Sequence, residues 1–261
     1  MFKNPLKEKL AAGKAVWGVV AADPSPPVLE VLGYVGFDWV LLDNEHGHIT
    51  ADSMPNCVRA CEATGMVPIV RPIGNKPEII RPFMDMGCYG VQVPQVDTPE
   101  EAKAAVDAVK YPPLGVRGFS SGVRNNRFGM GMPSGEYLEH ANRETLVCLM
   151  VETPEGIKNA EAIARVEGVD VVFVGAGDLS VLMGVPGQNT HPDVIKAVEG
   201  AVEGILRAGK TAGCSGPDDQ IPHWLEKGVR FFHSSVTRLL IGSGRDYLSM
   251  ANAAEKKVGA S

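Results

Sequence analysis

The chain has 261 residues, 44% of them hydrophobic and 21% charged, which is enough apolar material for one large α/β domain. Its net charge of −6 and the absence of any run of Lys and Arg argue against a nucleic-acid partner. No apolar window reaches the length of a membrane span or a signal peptide, so we expect a cytoplasmic protein whose five scattered cysteines stay reduced.

Short apolar runs alternate with helical patterns through the first half of the chain. A helix is predicted over residues 5–12, ahead of the first apolar run. Strands are predicted at 15–20, 39–43, 67–70 and 90–93. Between and after them, one helix begins at the turn 23–27 and runs to residue 34, and three more helices span 50–64, 76–86 and 98–109. Thr98, Pro99 and Glu101 form a capping box with proline at the first helical position, a strong helix start.

The stretch 111–143 is rich in Gly, Pro, Arg and Asn and predicts a long loop that contains a short helix near 136–142. An irregular loop of this length inside a compact domain is usually functional or disordered. Further strands are predicted at 146–151, 169–174, 211–214 and 229–234, with helices that begin at Thr153 and Pro217 and that span 192–208 and 238–257.

Eight strands alternating with helices predict a closed (β/α)8 TIM barrel. We expect it to form one domain over residues 1–261, with an extra N-terminal helix and a long loop before the fifth strand. A doubly wound open sheet is the alternative. That fold usually carries a glycine fingerprint after its first strand, and residues 21–24, Ala-Ala-Asp-Pro, are not one.

Ionisable side chains stand at the carboxyl ends of several predicted strands. Asp43 and His46 follow the second strand, Arg71 ends the third, Glu152 follows the fifth and Asp178 follows the sixth. In a parallel barrel these positions open into one mouth, where barrel enzymes place their active sites. The pattern therefore predicts an active site. For each acid taken singly, the alternative is a structural carboxylate that only forms a salt bridge with Arg71.

Glu152 and Asp178 together make a hard oxygen site that suits Mg²⁺ or Mn²⁺, with Co²⁺ and Zn²⁺ as alternatives. Two protein ligands leave coordination positions for a chelating 2-oxo acid. His46 is a candidate general base because imidazole exchanges protons near neutral pH. The guanidinium of Arg71 is suited to stabilising an oxyanion that forms during the reaction. No organic cofactor is expected, and no lysine ends a predicted strand to form a Schiff base.

Several motifs resemble those of the HpcH/HpaI aldolase family, the metal-dependent pyruvate aldolases. They are Asp-x-Glu-His at 43–46, Val-Pro-Ile-Val-Arg-Pro at 67–72, Gly-Val-Arg-Gly at 115–118, Val-Glu-Thr at 151–153 and Gly-x-x-Asp-Leu-Ser at 175–180. The resemblance implies a barrel of the phosphoenolpyruvate/pyruvate type. It also implies reversible cleavage of a 4-hydroxy-2-oxo acid, such as 4-hydroxy-2-oxoheptanedioate or a 2-keto-3-deoxy sugar acid, to pyruvate and an aldehyde. A homo-oligomer, a hexamer by analogy, is implied as well.

The resemblance also implies roles for single residues. Glu152 and Asp178 would hold the metal, His46 would act as base, and Arg71 would stabilise the enolate. The backbone at Gly177 and Asp178 would meet the pyruvate carboxylate. Asp43 and Asp85 would belong to the histidine's network; because Asp85 ends a helix, a neighbouring subunit's site suits it better than its own.

Three further residues are candidate substrate contacts: Trp17 on the first strand, Met150 before the metal Glu, and Arg124 in the long loop. In the family, that loop approaches a neighbouring subunit's active site, where its arginines could pair with a distal carboxylate of the aldehyde. Met150 departs from the family, which usually has Gln there. Since methionine donates no hydrogen bond, the keto group must be held by another group or the preferred substrate differs.

Two other functions stay open. One is a metal-dependent lyase or mutase acting on a different oxo acid, such as a phosphonate, or on an acyl-CoA ester. The other is a non-catalytic binder of small oxo acids, with Met150 as the sign of lost chemistry. Residues 175–177 could also form a phosphate-binding loop, although such loops usually follow the seventh and eighth strands of a barrel.

Overall fold

A computed structural model describes residues 3–215 and 218–259 of the chain. Eight parallel strands pair in chain order, and the last pairs with the first to close a barrel. They are β1 Val16–Ala21, β2 Trp39–Asp43, β3 Val67–Arg71, β4 Gly90–Val93, β5 Leu146–Val151, β6 Val171–Val174, β7 Thr211–Cys214 and β8 Phe231–Ser235. The predicted (β/α)8 barrel is confirmed, and the closing β1–β8 pair excludes an open sheet.

The helices connect the strands, after one helix that precedes the barrel. They are α1 Pro5–Ala11, α2 Pro26–Val35, α3 Met54–Thr64, α4 Pro77–Asp85, α5 Pro99–Val109, α6 Ser134–Glu144, α7 Pro154–Ala164, α8 Ala176–Leu182, α9 Pro192–Arg207, α10 Ile221–Glu226 and α11 Val236–Gly259. Helix α8, which begins directly after β6, was not predicted from the sequence. The helix start predicted at Pro217 lies outside the described residues.

Local sequence explains where many of these helices begin and end. The predicted capping box is present at α5, where the Thr98 hydroxyl accepts the Glu101 N–H and the Glu101 carboxylate accepts the Thr98 N–H. Gly36 and Gly65 end α2 and α3 with φ of 109° and 78°, a left-handed conformation that glycine adopts without a steric penalty.

Strand side chains alternate between two cores. One core fills the inside of the barrel and includes Trp39, Leu41, Ile69, Met150 and Phe173. The other lies between the sheet and the helices. Because alternation continues along each strand, the residue two positions after an inward-facing side chain also faces inward. This alternation directs the polar residues at the strand ends toward the barrel mouth.

The long loop after α5 is anchored by a buried lysine. The Nζ of Lys110 donates hydrogen bonds to the carbonyl oxygens of Asn142 and Thr145 at 2.7 and 2.6 Å. Lys110 is 2% exposed. Burial lowers the pKa of its ammonium group to about 8, although the charge of Asp170 opposes the shift. The loop is therefore attached to the segment just before β5.

None of the described helices is long and apolar enough to cross a membrane. All five cysteines are buried and unpaired, as expected for structural thiols.

We predict that Lys110→Met changes how stability depends on pH. Between the folded pKa of about 8 and the ordinary lysine pKa of 10.5, the unfolded chain binds more protons at this lysine than the folded chain does. The wild type should therefore gain stability relative to the variant as pH rises through this interval, by about 1 kcal/mol per pH unit. Urea unfolding at several pH values measures the difference. Lys103→Met, an exposed lysine on α5, is the control and should parallel the wild type; parallel curves for Lys110→Met would contradict the assignment.

Candidate active site

A buried ion pair joins the ends of two neighbouring strands. Asp43 and Arg71 are the last residues of β2 and β3 and are register partners. The guanidinium Nε and Nη2 of Arg71 donate to the two carboxylate oxygens of Asp43 at 2.9 and 2.7 Å. Burial would raise the pKa of Asp43, but the hydrogen bonds and charge of Arg71 outweigh it and lower the pKa below its usual value. Both groups therefore stay ionised.

The same carboxylate organises the turn after β2. Asp43 Oδ1 accepts the backbone N–H groups of Glu45 and His46 at 3.1 and 3.3 Å. Glu45 Oε2 then lies 3.3 Å from Arg71 Nε and 3.6 Å from His46 Nε2. The imidazole of His46 is 68% exposed and reaches into the mouth. Asp43 thus holds the histidine through its backbone, while Glu45 contacts the ring.

Glu152 follows β5 and is only 4% exposed. Its Oε1 accepts the backbone N–H of Gln95 at 2.9 Å. Gln95 has φ of 53°, a left-handed conformation that is uncommon for a residue other than glycine. On the other side, Gly175 packs so closely that a Cβ there would lie 2.8 Å from Glu152 Oε2. The carboxylate is therefore held between two backbone segments.

A cavity of about 520 Å³ brings His46, Glu152 and Asp178 together, with Gln95 on its wall. Asp178 lies in the first turn of α8 and lines this cavity, and Gly177, the residue before it, is exposed. The pKa of Glu152 is raised to about 7, chiefly by burial; the Gln95 N–H opposes the rise, and the charges of Asp178 and Glu45 add to it. Burial likewise raises the pKa of Glu45; the positive charge of Arg71 opposes the rise, and the charges of Asp43 and Asp178 add to it.

This donor set suits a hard divalent metal. Glu152 and Asp178 supply carboxylate oxygens to one cavity, and their proximity concentrates negative charge that a cation would neutralise. Within the described ranges, no group of three or more His, Cys, Asp and Glu side chains converges on one point. A metal at this position would therefore need oxygens from water or substrate, as the sequence predicts for a site with two protein ligands.

The structure does not place Trp17 at this cavity. Val16 faces the inside of the barrel, so alternation turns Trp17 outward, where its ring stacks on Phe232 at 5.0 Å between centroids. Trp17 is also the second residue of β1, near the amino end of the strand and away from the mouth. Its contact with the substrate stays a prediction that this cavity does not support.

Asp85 and Arg124 also lie away from this cavity. Asp85 is the last residue of α4 and pairs with Arg117. Arg124 pairs with Glu62 near the end of α3. In a barrel, helix ends lead back to the amino ends of the strands, opposite the mouth. Neither residue lines this cavity in its own chain, and a role of each in a neighbouring subunit's site stays a prediction.

Met150 is 5% exposed and faces the inside of the barrel, two residues before Glu152. The thioether lies directly below the mouth, where it offers no hydrogen-bond donor.

Two residues of the site were not singled out from the sequence. Glu45 could have been found from its position in the Asp-x-Glu-His motif, since both acids follow one strand end. Gln95 carries no such signal, because its N–H reaches Glu152 only through a backbone conformation that depends on the packing of β4 against β5.

A closed parallel barrel with ionised groups at its mouth defines an enzyme that acts on small molecules, and comparisons narrow the class. The model of the HpcH/HpaI aldolase/citrate lyase family matches residues 18–232. The pyruvate aldolase of Rhizobium etli is 39% identical over 94% of this chain and 96% of its own length. The 5-keto-4-deoxy-D-glucarate aldolase of Shigella sonnei is 36% identical over 88% of this chain and 90% of its own length. The crystal structure of the citrate synthase SbnG is 32% identical, with a TM-score of 0.85 over 98% of this chain and 99% of that one.

The chain belongs to the HpcH/HpaI aldolase/citrate lyase family. The family expected from the strand-end motifs is confirmed, and the protein is a carbon–carbon lyase.

We predict that Gly175→Ala weakens metal binding by about 10–100-fold, the range seen when groups that orient metal ligands are altered. The new Cβ would displace the Glu152 carboxylate, because the two would lie 2.8 Å apart. Isothermal titration calorimetry with Mn²⁺, in the absence of substrate, measures the affinity for the metal. Gly200→Ala adds the same methyl group where nothing lies within 4 Å and should bind Mn²⁺ as the wild type does. Equal affinities for all three proteins would show that Glu152 is not a ligand.

Proposed function

We propose that this protein is a divalent-metal-dependent aldolase that reversibly cleaves a 4-hydroxy-2-oxo acid to pyruvate and an aldehyde. The observation that carries the proposal is the shared cavity at the barrel mouth. In it, the buried Glu152 lies beside Asp178 and near the Asp43–Arg71 ion pair. The aldolase names of the relatives support the same reaction class.

Glu152 and Asp178 would hold Mg²⁺ or Mn²⁺, which would supply Lewis-acid polarisation of the substrate's keto oxygen. The chain's own residues provide the rest. His46, exposed in the cavity, removes the proton of the C4 hydroxyl group. As the C3–C4 bond breaks, its electron pair forms the pyruvate enolate, and the C4 carbon leaves as the aldehyde. The proton that His46 removed, or its equivalent from water, then converts the enolate carbon to the methyl group of pyruvate.

Arg71 stabilises the enolate by charge and by hydrogen bonding. Asp43 occupies its Nε and Nη2 atoms and fixes the plane of the guanidinium, which leaves Nη1 for the substrate. Since Met150 offers no donor, we propose that the side-chain amide of Gln95, on the cavity wall, takes part in positioning the keto acid.

We predict that Glu152→Gln, or removal of metal with EDTA, abolishes pyruvate release from 4-hydroxy-2-oxo acids. The amide is neutral and binds hard divalent cations poorly, so the polarising metal would be lost. An assay coupled to lactate dehydrogenase measures pyruvate over a panel of aldol substrates. Glu155→Gln, an exposed acid on α7, is the matched control and should keep full activity.

Full activity without metal would refute the mechanism. Release of another oxo acid, or turnover of an acyl-CoA ester or a phosphonate, would identify a different lyase or mutase. NMR in D₂O separates catalysis from mere binding, because an enzyme that forms the enolate exchanges the methyl protons of pyruvate and a binder exchanges none.

We further propose that the chain assembles with copies of itself, as a hexamer on the family resemblance. Helix α11 packs against β1 and β8, and its outer half exposes Tyr247, Leu248 and Met250. An apolar groove lies beside it, between α2 and the start of α11, lined by Val28 and Val31 among others. A second copy would supply an apolar helix for this groove and a groove for this helix.

We predict a mass of several 27.8 kDa chains in sedimentation equilibrium. Leu248→Lys should shift the distribution toward smaller species, because it places a charge on the apolar face. Ser249→Lys, on the face of the same helix that points away from Tyr247, Leu248 and Met250, is the control with the same new side chain. A wild type that stays monomeric at high concentration would refute the assembly.

A further inference from the structure

One amide inside the barrel is enclosed without an acceptor for its N–H group. Gln92, the third residue of β4, is 0% exposed. Its neighbours Val91 and Val93 belong to the core between the sheet and the helices, so alternation turns Gln92 toward the inside of the barrel. Cys148 Sγ donates to Gln92 Oε1 at 3.7 Å, whereas Gln92 Nε2 has no partner among the residues that the structure describes. Enclosed polar atoms without partners are uncommon in folded proteins.

The strand register places this amide beside Arg71. Residues 69–70 of β3 pair with residues 90–91 of β4. One residue further, the same register brings Arg71 level with Gln92. Arg71 follows the inward-facing Ile69 by two residues, so the side chains of Arg71 and Gln92 both lie on the inner face of the barrel. Because neighbouring strands are about 4.8 Å apart, these two side chains are direct neighbours.

Arg71 and Gln92 together present hydrogen-bond donors to one place. The carboxylate of Asp43, on the other side of Arg71, occupies Nε and Nη2 of the guanidinium and leaves Nη1 as the remaining donor. Gln92 contributes Nε2, the atom of its amide that lacks an acceptor. Neither nitrogen can accept the other's hydrogen, because guanidinium and amide nitrogens are donors only. An oxygen atom that lay between them would accept both hydrogens.

This place lies just beneath the barrel mouth. Arg71 ends β3, and Gln92 is one residue before the end of β4. Gln92 pairs with Cys148, and Met150 lies two residues nearer the carboxyl end of β5 on the same inner face. The side chain of Met150 is therefore one layer closer to the mouth than the amide. Since a methionine side chain is unbranched and adapts its shape readily, a substrate can displace it and reach the amide.

We propose that Gln92 is a catalytic residue, whose amide forms an oxyanion site together with Arg71. When the C3–C4 bond of the substrate breaks, its electron pair forms the enolate, and negative charge collects on the C2 oxygen. Gln92 Nε2 donates a hydrogen bond to that oxygen beside the guanidinium. Donors that are in place beforehand are effective because they need no reorganisation as the charge develops. This inference rests on the proposed aldolase function, and it assigns the neutral donor that Met150 does not offer.

The variant Gln92→Met tests the proposal, because it removes the amide and keeps a side chain of similar length. We expect kcat for pyruvate release to fall about 100-fold, the lower end of the range for loss of one oxyanion donor, since Arg71 remains. KM should change little, because the donor acts on charge that develops after binding. Proton exchange at the pyruvate methyl group forms the same enolate without an aldehyde and should slow by a similar factor.

Stability separates this role from a structural one. Removing an enclosed amide whose N–H lacks an acceptor should leave the urea midpoint of Gln92→Met equal to or above that of the wild type. A damaged core would instead lower the midpoint together with the activity. Leu41→Met places the same new side chain at an inward position of β2 and is the control. It should keep the kcat of the wild type.

A donor supplied from the neighbouring strand gives a second test. Because Met150 faces inward one layer above Gln92, the double variant Gln92→Met/Met150→Gln carries its amide on β5 instead of β4. Its kcat should exceed that of Gln92→Met by at least about tenfold, a recovery that packing alone does not predict. A kcat of Gln92→Met close to that of the wild type would overturn the inference, as would an equal loss in Leu41→Met.

Oxalate separates failure of this inference from failure of the aldolase proposal. Oxalate resembles the planar pyruvate enolate and binds without reacting. Calorimetry with equal Mn²⁺ in cell and syringe should show about tenfold weaker binding to Gln92→Met than to the wild type. If the wild type exchanges no pyruvate protons, the aldolase proposal fails and oxalate decides alone: weaker binding to Gln92→Met supports the oxyanion site, and equal binding refutes it. If both proteins exchange protons equally fast, the aldolase proposal stands and this inference is wrong.

Discussion

The ion pair between Asp43 and Arg71 is the interaction on which the rest of the mouth depends. It crosses the β2–β3 register at the last residue of each strand and is almost fully buried. Removing either partner would leave an uncompensated charge, which is far more costly than the pair itself. The same carboxylate binds two N–H groups of the following turn, so it positions Arg71, Glu45 and His46 together.

Charge separation across the mouth follows from where the strands end. Glu152 and Asp178 follow β5 and β6, where like charges and burial raise the pKa of Glu152 and create a place for a cation. Arg71, at the end of β3, supplies a positive charge that Asp43 holds in place. A closed barrel can hold both environments within one opening, because each strand contributes its own loop.

Much of this architecture was predictable from local pattern. Short apolar runs that alternate with helical patterns located all eight strands, and the capping box at Thr98 located the start of α5. The ends of β2, β3, β5 and β6 were correctly interpreted as neighbours because parallel strands share one carboxyl edge. The face of a strand on which a single side chain lies was harder to predict: Trp17 lies on the outer side of β1, although its neighbour Val16 faces inward.

The local sequence pattern was sufficient to predict the order of the strands and the ionisable groups at their ends, because apolar runs and the residues that follow them are properties of short segments. The closure of the barrel decided which of the distant residues come into contact. It separated Asp85 and Arg124 from the mouth and brought the N–H of Gln95 to Glu152. These contacts join residues from different strands, helices and loops, and their distances depend on strand register and side-chain packing, which short segments do not encode.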